Sequence, residues 1–258
     1  MGLGRARGVV AALLILCASS ADGRAGQLVA YFADWQEVDP QPVIGYLARP
    51  EGAGRFPAVV VLHGCAGFGA SVVDWADRLA GWGYVALAVD SYGPRKLAGD
   101  CGQMPYQAID AYLAADHLSR EDFVDRDRMA VLGLAMGGTA VLMDAERGTA
   151  FDGPHPRAFR AAVALHPDCG AASGIMTMPT LILIGARGAG AAAEACRAMA
   201  AGRTVIGANR EPGDRSMVRL TVYPDADDGV DARGAARGAA ATDALQRVRD
   251  FLAAGFKR

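Results

Sequence analysis

The chain has 258 residues, of which 52% are hydrophobic and 21% are charged, and its formal net charge at pH 7 is -2. This composition provides enough apolar material for one large domain with a full core, and it excludes an intrinsically disordered chain. The small net charge, without a basic run interleaved with aromatic residues, argues against nucleic-acid binding.

The first residues have the pattern of an export signal. Two arginines precede the apolar run Val9–Leu16, and the small residues Ala18–Ala21 follow it. Cleavage after this segment would remove residues 1–21 and leave residues 22–258 as a single domain that is secreted or periplasmic. An uncleaved anchor is the alternative, but the apolar run is shorter than the roughly 20 residues that span a bilayer. We therefore expect no stable membrane span after cleavage.

Removal of that segment would leave four of the five cysteines in the chain, namely Cys65, Cys101, Cys169 and Cys196. An even number of cysteines in an exported protein predicts disulfides, and four cysteines allow three pairings among which the sequence does not choose. Buried free thiols are the alternative. The spacing fits neither a zinc ribbon nor a redox motif, so we expect no metal and no cofactor.

Strand patterns recur along the remaining chain. Two of them, at 28–33 and 43–48, flank the turn formers Asp39–Pro42 and predict a hairpin at the edge of a sheet. Continuous apolar runs are typical of strands buried on both faces. Such runs occur at Pro57–Leu62, Tyr84–Val89, Ala130–Leu132, Ala161–Leu165, Thr180–Ile184 and Met217–Tyr223.

Helical patterns lie between these strands. In the segment Asp74–Trp82, apolar residues recur at the spacing of one helix face. Further helices are predicted at Pro105–Ser119, Ala140–Glu146, Ala191–Ala201 and around Leu245–Leu252, and surface loops at Gly202–Ser216 and Gly229–Ala241. Strands that alternate with helices predict an α/β fold with a mostly parallel central sheet and helices on both faces.

The segment Met129–Thr139, MAVLGLAMGGT, runs from a strand through a glycine-rich turn into a helix. It has the form of the nucleophile elbow G-x-S-x-G, in which small outer residues let a tight turn present the central side chain. An active elbow carries Ser or Cys at its centre, whereas this chain carries Ala135. Because a methyl group cannot attack a carbonyl, the turn is present without a nucleophile.

Six segments, in their order and spacing, resemble the dienelactone hydrolase family of the α/β-hydrolase superfamily. They are VVLHGCAGF, VDSYGPR, DRDRMAVLGLAMGG, HPDCG, PTLILIGARGAG and VYPDADDGV. The resemblance covers essentially all of the predicted mature chain. It implies an α/β-hydrolase fold and, in active relatives, hydrolysis of carboxylic esters or lactones by a Cys or Ser nucleophile with an Asp and a His.

All three catalytic positions implied by this resemblance are substituted. The nucleophile position is Ala135, the acid of a G-x-x-D pattern falls on Gly188, and the histidine of a Y-P-x-A-x-H-G-F pattern falls on Asp228. The histidine normally takes the proton of the nucleophile, and the acid holds the imidazole in the correct tautomer. The substitutions therefore predict a degenerate member of the family without hydrolase activity.

An oxyanion turn is also implied, because an HG-type turn after the strand Pro57–Leu62 supplies a backbone N–H in α/β-hydrolases. The residues predicted for this turn and the adjoining pocket are His63, Gly64, Cys65, Met136 and His166.

Three functions follow as alternatives. The first is an inactive exported protein whose pocket binds a small apolar or carbonyl-containing ligand. The second is an active hydrolase with a relocated reactive group, for which His63, Cys65, Ser91 and the pair His166 and Asp168 are the candidates. The third is a protein that binds a partner through its surface loops.

Overall fold

The computed structural model describes residues 26–31, 43–97, 104–146, 158–187, 189–203, 217–227 and 238–257. The predicted signal segment 1–21 lies outside these ranges. The described residues form eight strands and five helices.

The strands form a single sheet. They are β1 Gln27–Tyr31, β2 Val43–Ala48, β3 Phe56–Leu62, β4 Val85–Asp90, β5 Val124–Leu134, β6 Ala161–Leu165, β7 Thr180–Gly185 and β8 Val218–Tyr223. Their order across the sheet is β1-β2-β4-β3-β5-β6-β7-β8. The pairs β1–β2 and β2–β4 are antiparallel, and all other neighbours are parallel. The predicted pairing of the first two strands at the edge of the sheet and the mostly parallel sheet are thereby confirmed, whereas the predicted turn Asp39–Pro42 lies outside the described residues.

Helices cover both faces of the sheet. They are α1 Ala70–Gly81, α2 Met104–Ser119, α3 Met136–Ala145, α4 Gly190–Ala200 and α5 Ala239–Gly255. One core layer packs α2, α3 and α4 against the sheet, and the other packs α1 and α5 against the opposite face. None of the described helices has the length and apolar character that crossing a bilayer requires.

Three helix starts differ by several residues from the sequence prediction, and the first is that of α1, which begins at Ala70 rather than Asp74. Helix α3 begins at Met136 rather than Ala140, because two glycines of low helix propensity are held there by close packing. Helix α5 begins at Ala239, inside the segment predicted to be a loop. The residues Ala239–Ala241 are alanines, which have the highest helix propensity, so the helix extends over them.

The central strands are buried on both faces. In β3, for example, the residues from Ala58 to Leu62 are all 1% exposed or less. Parallel strands covered by helices on both sides require this kind of continuous apolar run. Because parallel strands end at the same edge of the sheet, the loops after β3, β4, β5, β6 and β7 meet at one edge, where ligands bind in open α/β sheets.

Candidate functional site

Ala135 is the apex of the turn between β5 and α3. Its backbone has φ 48° and ψ -111°, a combination that residues with a side chain rarely adopt. The N–H of Ala135 donates to the carbonyl oxygen of Leu165 at 2.7 Å, and its own carbonyl accepts the N–H of Thr139 at 3.0 Å. The strained turn is therefore fixed between the end of β6 and the first turn of α3.

Two glycines allow the turn to pack closely. A Cβ on Gly133 would overlap the carbonyl of Gly137, and a Cβ on Gly137 would lie 2.6 Å from the carbonyl oxygens of both Leu62 and His63. Only a residue without a side chain fits at either position. The turn therefore packs directly against the end of β3.

The turn after β3 lies beside this apex. A Cβ on Gly64 would lie 3.5 Å from the methyl carbon of Ala135, and the N–H of Gly67 donates to the carbonyl of Gly64 at 3.0 Å. Helix α3 has no side-chain N-cap, and its first N–H groups, beginning with Met136, lie at the same end. N–H groups at a helix N-terminus can stabilise negative charge on a bound oxygen.

His63 is fully buried in a polar network behind this turn. Its Nδ1 lies 2.8 Å from the carbonyl oxygen of Gly64, and its Nε2 accepts the N–H of Ser91 at 3.3 Å. The Nε2 of Gln107 lies 2.9 Å from both the Nδ1 and the carbonyl oxygen of His63, and the Tyr92 ring packs edge-on at 4.4 Å. Burial lowers the pKa of His63 below its usual value, which favours the neutral ring.

Sequence reasoning did not identify Gln107 as part of the site. It lies on α2, 44 residues from His63 along the chain, and no local motif links the two residues. A polar side chain on the buried face of an amphipathic helix is the only signal that could have pointed to it.

His166 follows β6 at the edge of the site. It has φ 52°, its N–H donates to the carbonyl of Leu183 at 2.9 Å, and its Nε2 accepts the N–H of Gly185 at 3.3 Å. The next segment is fixed by the N–H of Asp168, which donates to Oγ1 of Thr139 at 2.9 Å. The ring of His166 therefore contacts the end of β7.

Disulfides stabilise the loops at this edge. Cys169, in the segment after β6, is bonded to Cys196 of α4, and both residues are fully buried. Cys65 is also disulfide-bonded, so it is not a free thiol. The predicted disulfides are confirmed for these three cysteines, whereas Cys101 lies outside the described residues.

Two of the predicted catalytic positions, Gly188 and Asp228, also lie outside the described residues. The segments that lead to these two positions lie in contact with each other. A Cβ on Gly185, at the end of β7, would overlap the backbone carbonyls of Ala226 and Asp227, which follow β8. In the described ranges, no cluster of three or more His, Cys, Asp or Glu side chains could hold a metal ion.

The family model described as PET hydrolase-like matches residues 44–201 of the chain. The matched segment runs from β2 to the residue after α4, so it includes the turn after β3, the elbow and His166.

Two curated proteins are similar in sequence. A Bradyrhizobium protein named as a 2-oxo-3-(5-oxofuran-2-ylidene)propanoate lactonase is 30% identical over 43% of this chain and 50% of its own length. Lipase 1 of a Moraxella species is 26% identical over 54% of this chain and 41% of its own length. The chain thus spans about half the length of the curated relatives that it matches.

Solved structures are similar over most of the chain. A dienelactone hydrolase structure from Klebsiella pneumoniae has a TM-score of 0.65 and 22% identity, and the match covers 88% of this chain and 99% of that one. Esterase 2 of Thermogutta terrifontis has a TM-score of 0.61 and 17% identity, with 90% and 93% covered. At these identities the likeness shows the α/β-hydrolase fold.

Proposed function

Because this chain belongs to the PET hydrolase-like family of α/β-hydrolases, we propose that it is an exported family member that binds a small ligand without hydrolysing it. The predicted resemblance to the dienelactone hydrolases is confirmed by the same comparisons.

The observation that carries the proposal is the elbow itself. Ala135 keeps the strained backbone of a nucleophile turn, at φ 48°, but its side chain is a methyl group. Such strain costs about 1–3 kcal/mol and persists only where the surrounding structure enforces it. The turn geometry is retained although the nucleophilic atom is absent. This combination supports the proposal of ligand binding without turnover.

The loss of one triad member removes most of what the others contribute. Knocking out the nucleophile of a serine hydrolase lowers kcat by about two million-fold, and the roughly thousand- to ten-thousand-fold that remains comes from the oxyanion hole and binding. The residue types at Gly188 and Asp228 remove the orienting acid and the base as well. We infer that hydrolysis by this chain is negligible beside that of an intact relative.

Two of the alternative nucleophiles are poorly placed. Cys65 is disulfide-bonded, so no thiolate forms there. Ser91 is fully buried, and its N–H is engaged with the ring of His63. Both features support the inactive interpretation over a relocated nucleophile.

The proposed ligand is small and apolar or carries a carbonyl group. The methyl of Ala135 provides an apolar surface, and the N–H groups at the start of α3 provide donors for a carbonyl oxygen. A lactone is one such ligand, and a lactonase is among the relatives. The proposal of export rests on the pattern of residues 1–21 and on disulfide-bonded cysteines, which persist in oxidising compartments.

A reversion series tests the loss of catalysis. Ala135→Ser alone should remain inactive towards activated esters, because neither a base nor an orienting acid accompanies it. The triple change Ala135→Ser, Gly188→Asp and Asp228→His should recover measurable esterase activity and labelling of position 135 by a serine-directed probe. Strong activity in the single variant would refute the assignment of the missing base to position 228.

A further inference from the structure

The disulfide of Cys65 has a partner that the remaining cysteines narrow to two candidates. Cys65 is disulfide-bonded, and Cys169 is bonded to Cys196. The chain contains five cysteines, so the partner of Cys65 within it is either Cys17 or Cys101. Cys17 belongs to the segment that has the pattern of an export signal, and cleavage of that segment leaves Cys101 as the candidate.

The described chain on either side of Cys101 is anchored on His63. Before Cys101, the ring of Tyr92 packs edge-on against the His63 ring at 4.4 Å, and the N–H of Leu97 donates to the carbonyl of Tyr92 at 3.0 Å. After Cys101, Nε2 of Gln107 donates to the carbonyl oxygen of His63 at 2.9 Å. Both anchored ends therefore lie beside the turn that follows β3.

The length of the intervening chain allows Cys101 to reach Cys65. Cys101 follows Leu97 by four residues and precedes Met104, the first residue of α2, by three. At about 3.5 Å per residue, these stretches span up to about 14 Å and about 10 Å. A disulfide requires its two Cα atoms to lie roughly 4–7 Å apart, which both stretches permit.

We propose that Cys65 is bonded to Cys101 and that this bond is a reducible clamp, which fixes the turn 63–67 to the chain that leads into α2. Cys65 is half-buried, whereas Cys169 and Cys196 are both fully buried. Reduction of a disulfide requires a thiolate to reach one of its sulfur atoms. A small thiol therefore opens the clamp while the Cys169–Cys196 bond stays closed.

Two molecules of a small thiol such as glutathione supply the two electrons of this reduction. The first thiolate attacks Sγ of Cys65, which forms a mixed disulfide and releases Cys101 as a thiolate. The second thiolate attacks the glutathione sulfur of the mixed disulfide, which releases the Cys65 thiolate and forms oxidised glutathione. Each released thiolate takes up a proton, so the chain gains two thiols.

The turn that the clamp holds adjoins the elbow. A Cβ on Gly64 would lie 3.5 Å from the methyl carbon of Ala135, and the N–H of Gly67 donates to the carbonyl of Gly64 at 3.0 Å. Cys65 lies between these two glycines, so opening its bond loosens the turn beside the apex. The effect on a ligand rests on the proposed function, whereas the bond and its reduction do not.

Peptide mapping by mass spectrometry tests the pairing in the full chain, isolated without reductant from an oxidising compartment. Trypsin separates Cys65, Cys101, Cys169 and Cys196 into the peptides 56–78, 97–120, 161–187 and 188–197. We expect the Cys65 peptide to be linked to the Cys101 peptide. A free thiol at Cys65, or a link from its peptide to any other cysteine, including Cys17, would overturn the proposal.

Graded reduction of the folded chain with glutathione tests the clamp. We expect thiols at Cys65 and Cys101 before any at the other two cysteines, with hydrogen exchange of the Gly67 N–H faster by about tenfold or more. Cys65→Ser should give the same fast exchange without reductant. The N–H of Arg160, which donates to Met129 at the opposite edge of the sheet, should exchange at an unchanged rate.

Simultaneous opening of both disulfides, or an unchanged exchange rate of the Gly67 N–H after reduction, would contradict the clamp. Neither the mapping nor the exchange measurement uses a ligand. They therefore decide this inference separately from the proposed function, whose failure would appear as ester turnover or as the absence of ligand binding.

Discussion

Ala135 combines the backbone geometry of a nucleophile elbow with a methyl side chain, which cannot act as a nucleophile. Its φ of 48° is one of three positive values at non-glycine residues in the described structure, and another belongs to His166 at the same edge of the sheet. In an active site, the surrounding structure maintains such strain and the strained turn positions a reactive side chain, but Ala135 has no reactive side chain to position.

This strain predicts that Ala135→Gly stabilises the protein. Glycine adopts positive φ without steric cost, so we expect a gain of about 0.5–1.5 kcal/mol after its larger entropy loss on folding is subtracted. The matched control is Ala140→Gly in α3, which should destabilise by about 1 kcal/mol or more. Urea unfolding of both variants is the measurement, and a destabilised Ala135→Gly would show that the turn is unstrained.

Asp144 is a second residue with an unusual environment. It is 4% exposed, and both of its carboxylate oxygens lack a hydrogen-bond partner among the described residues. Burial raises the pKa of Asp144 well above its usual range, so the folded protein holds this proton more tightly than the unfolded chain. Stability is therefore full at low pH and is lost as the pH rises from about 3.9, the unfolded value, to the folded pKa.

At neutral pH, Asp144→Leu should stabilise the protein by about 1–3 kcal/mol, because it removes an unsatisfied buried polar group. Asp144→Asn should abolish the associated pH dependence of stability. It should stabilise the protein by less than Asp144→Leu, since the buried amide still lacks a hydrogen-bond partner. Unfolding free energies at pH 5 and pH 8 measure both effects, with the exposed Asp250→Asn as the control. A loss of stability in Asp144→Leu at pH 8 would mean that the carboxyl is satisfied in the folded protein.

At the scale of elements, the strands were the most predictable part of the fold. The span Ala161–Leu165 coincides with a predicted strand, because a continuous apolar run in a parallel sheet has few alternatives. The antiparallel strand Val43–Ala48 also has its predicted bounds. Helix starts were less predictable. The start of α3 depends on the close approach of Gly137 to the end of β3, which is a tertiary contact and not a local preference.

The disulfide pairing could not be predicted from the sequence, because it also depends on tertiary contacts. Cys169 and Cys196 are 27 residues apart, and only the packing of α4 against the segment after β6 brings them together. The burial of Gln107 and Asp144, whose side chains carry oxygens without a hydrogen-bond partner among the described residues, could not be predicted either. A polar residue in a helical pattern is normally assigned to the surface until its neighbours are known.

Removal of this disulfide gives a prediction for the two elements that it joins. The double change Cys169→Ala and Cys196→Ala should lower the free energy of unfolding by about 3–4 kcal/mol, as the chain-entropy model gives for a loop of this length. Urea unfolding without reductant is the measurement. An unchanged midpoint would mean that packing alone holds the segment after β6 against α4.

For the whole molecule, the sequence predicted the α/β-hydrolase fold and assigned the candidate site to turns that follow its strands. It did so because the strand patterns and the motifs that follow them occur in the order that the resemblance to the dienelactone hydrolases implies. The inactivity is inferred from residue types at three positions, of which Ala135 lies within the described structure. The residue types at a site determine which reaction it can perform, whereas the fold alone does not.

The measurement that tests this account most directly is hydrolysis of small activated esters and a dienelactone by the unmodified chain, with mass spectrometry after treatment with serine- and cysteine-directed probes. The account predicts no turnover and no adduct, together with a rise in melting temperature for those compounds that bind the native state. Clear turnover with an adduct on a single residue would identify a relocated nucleophile and contradict it.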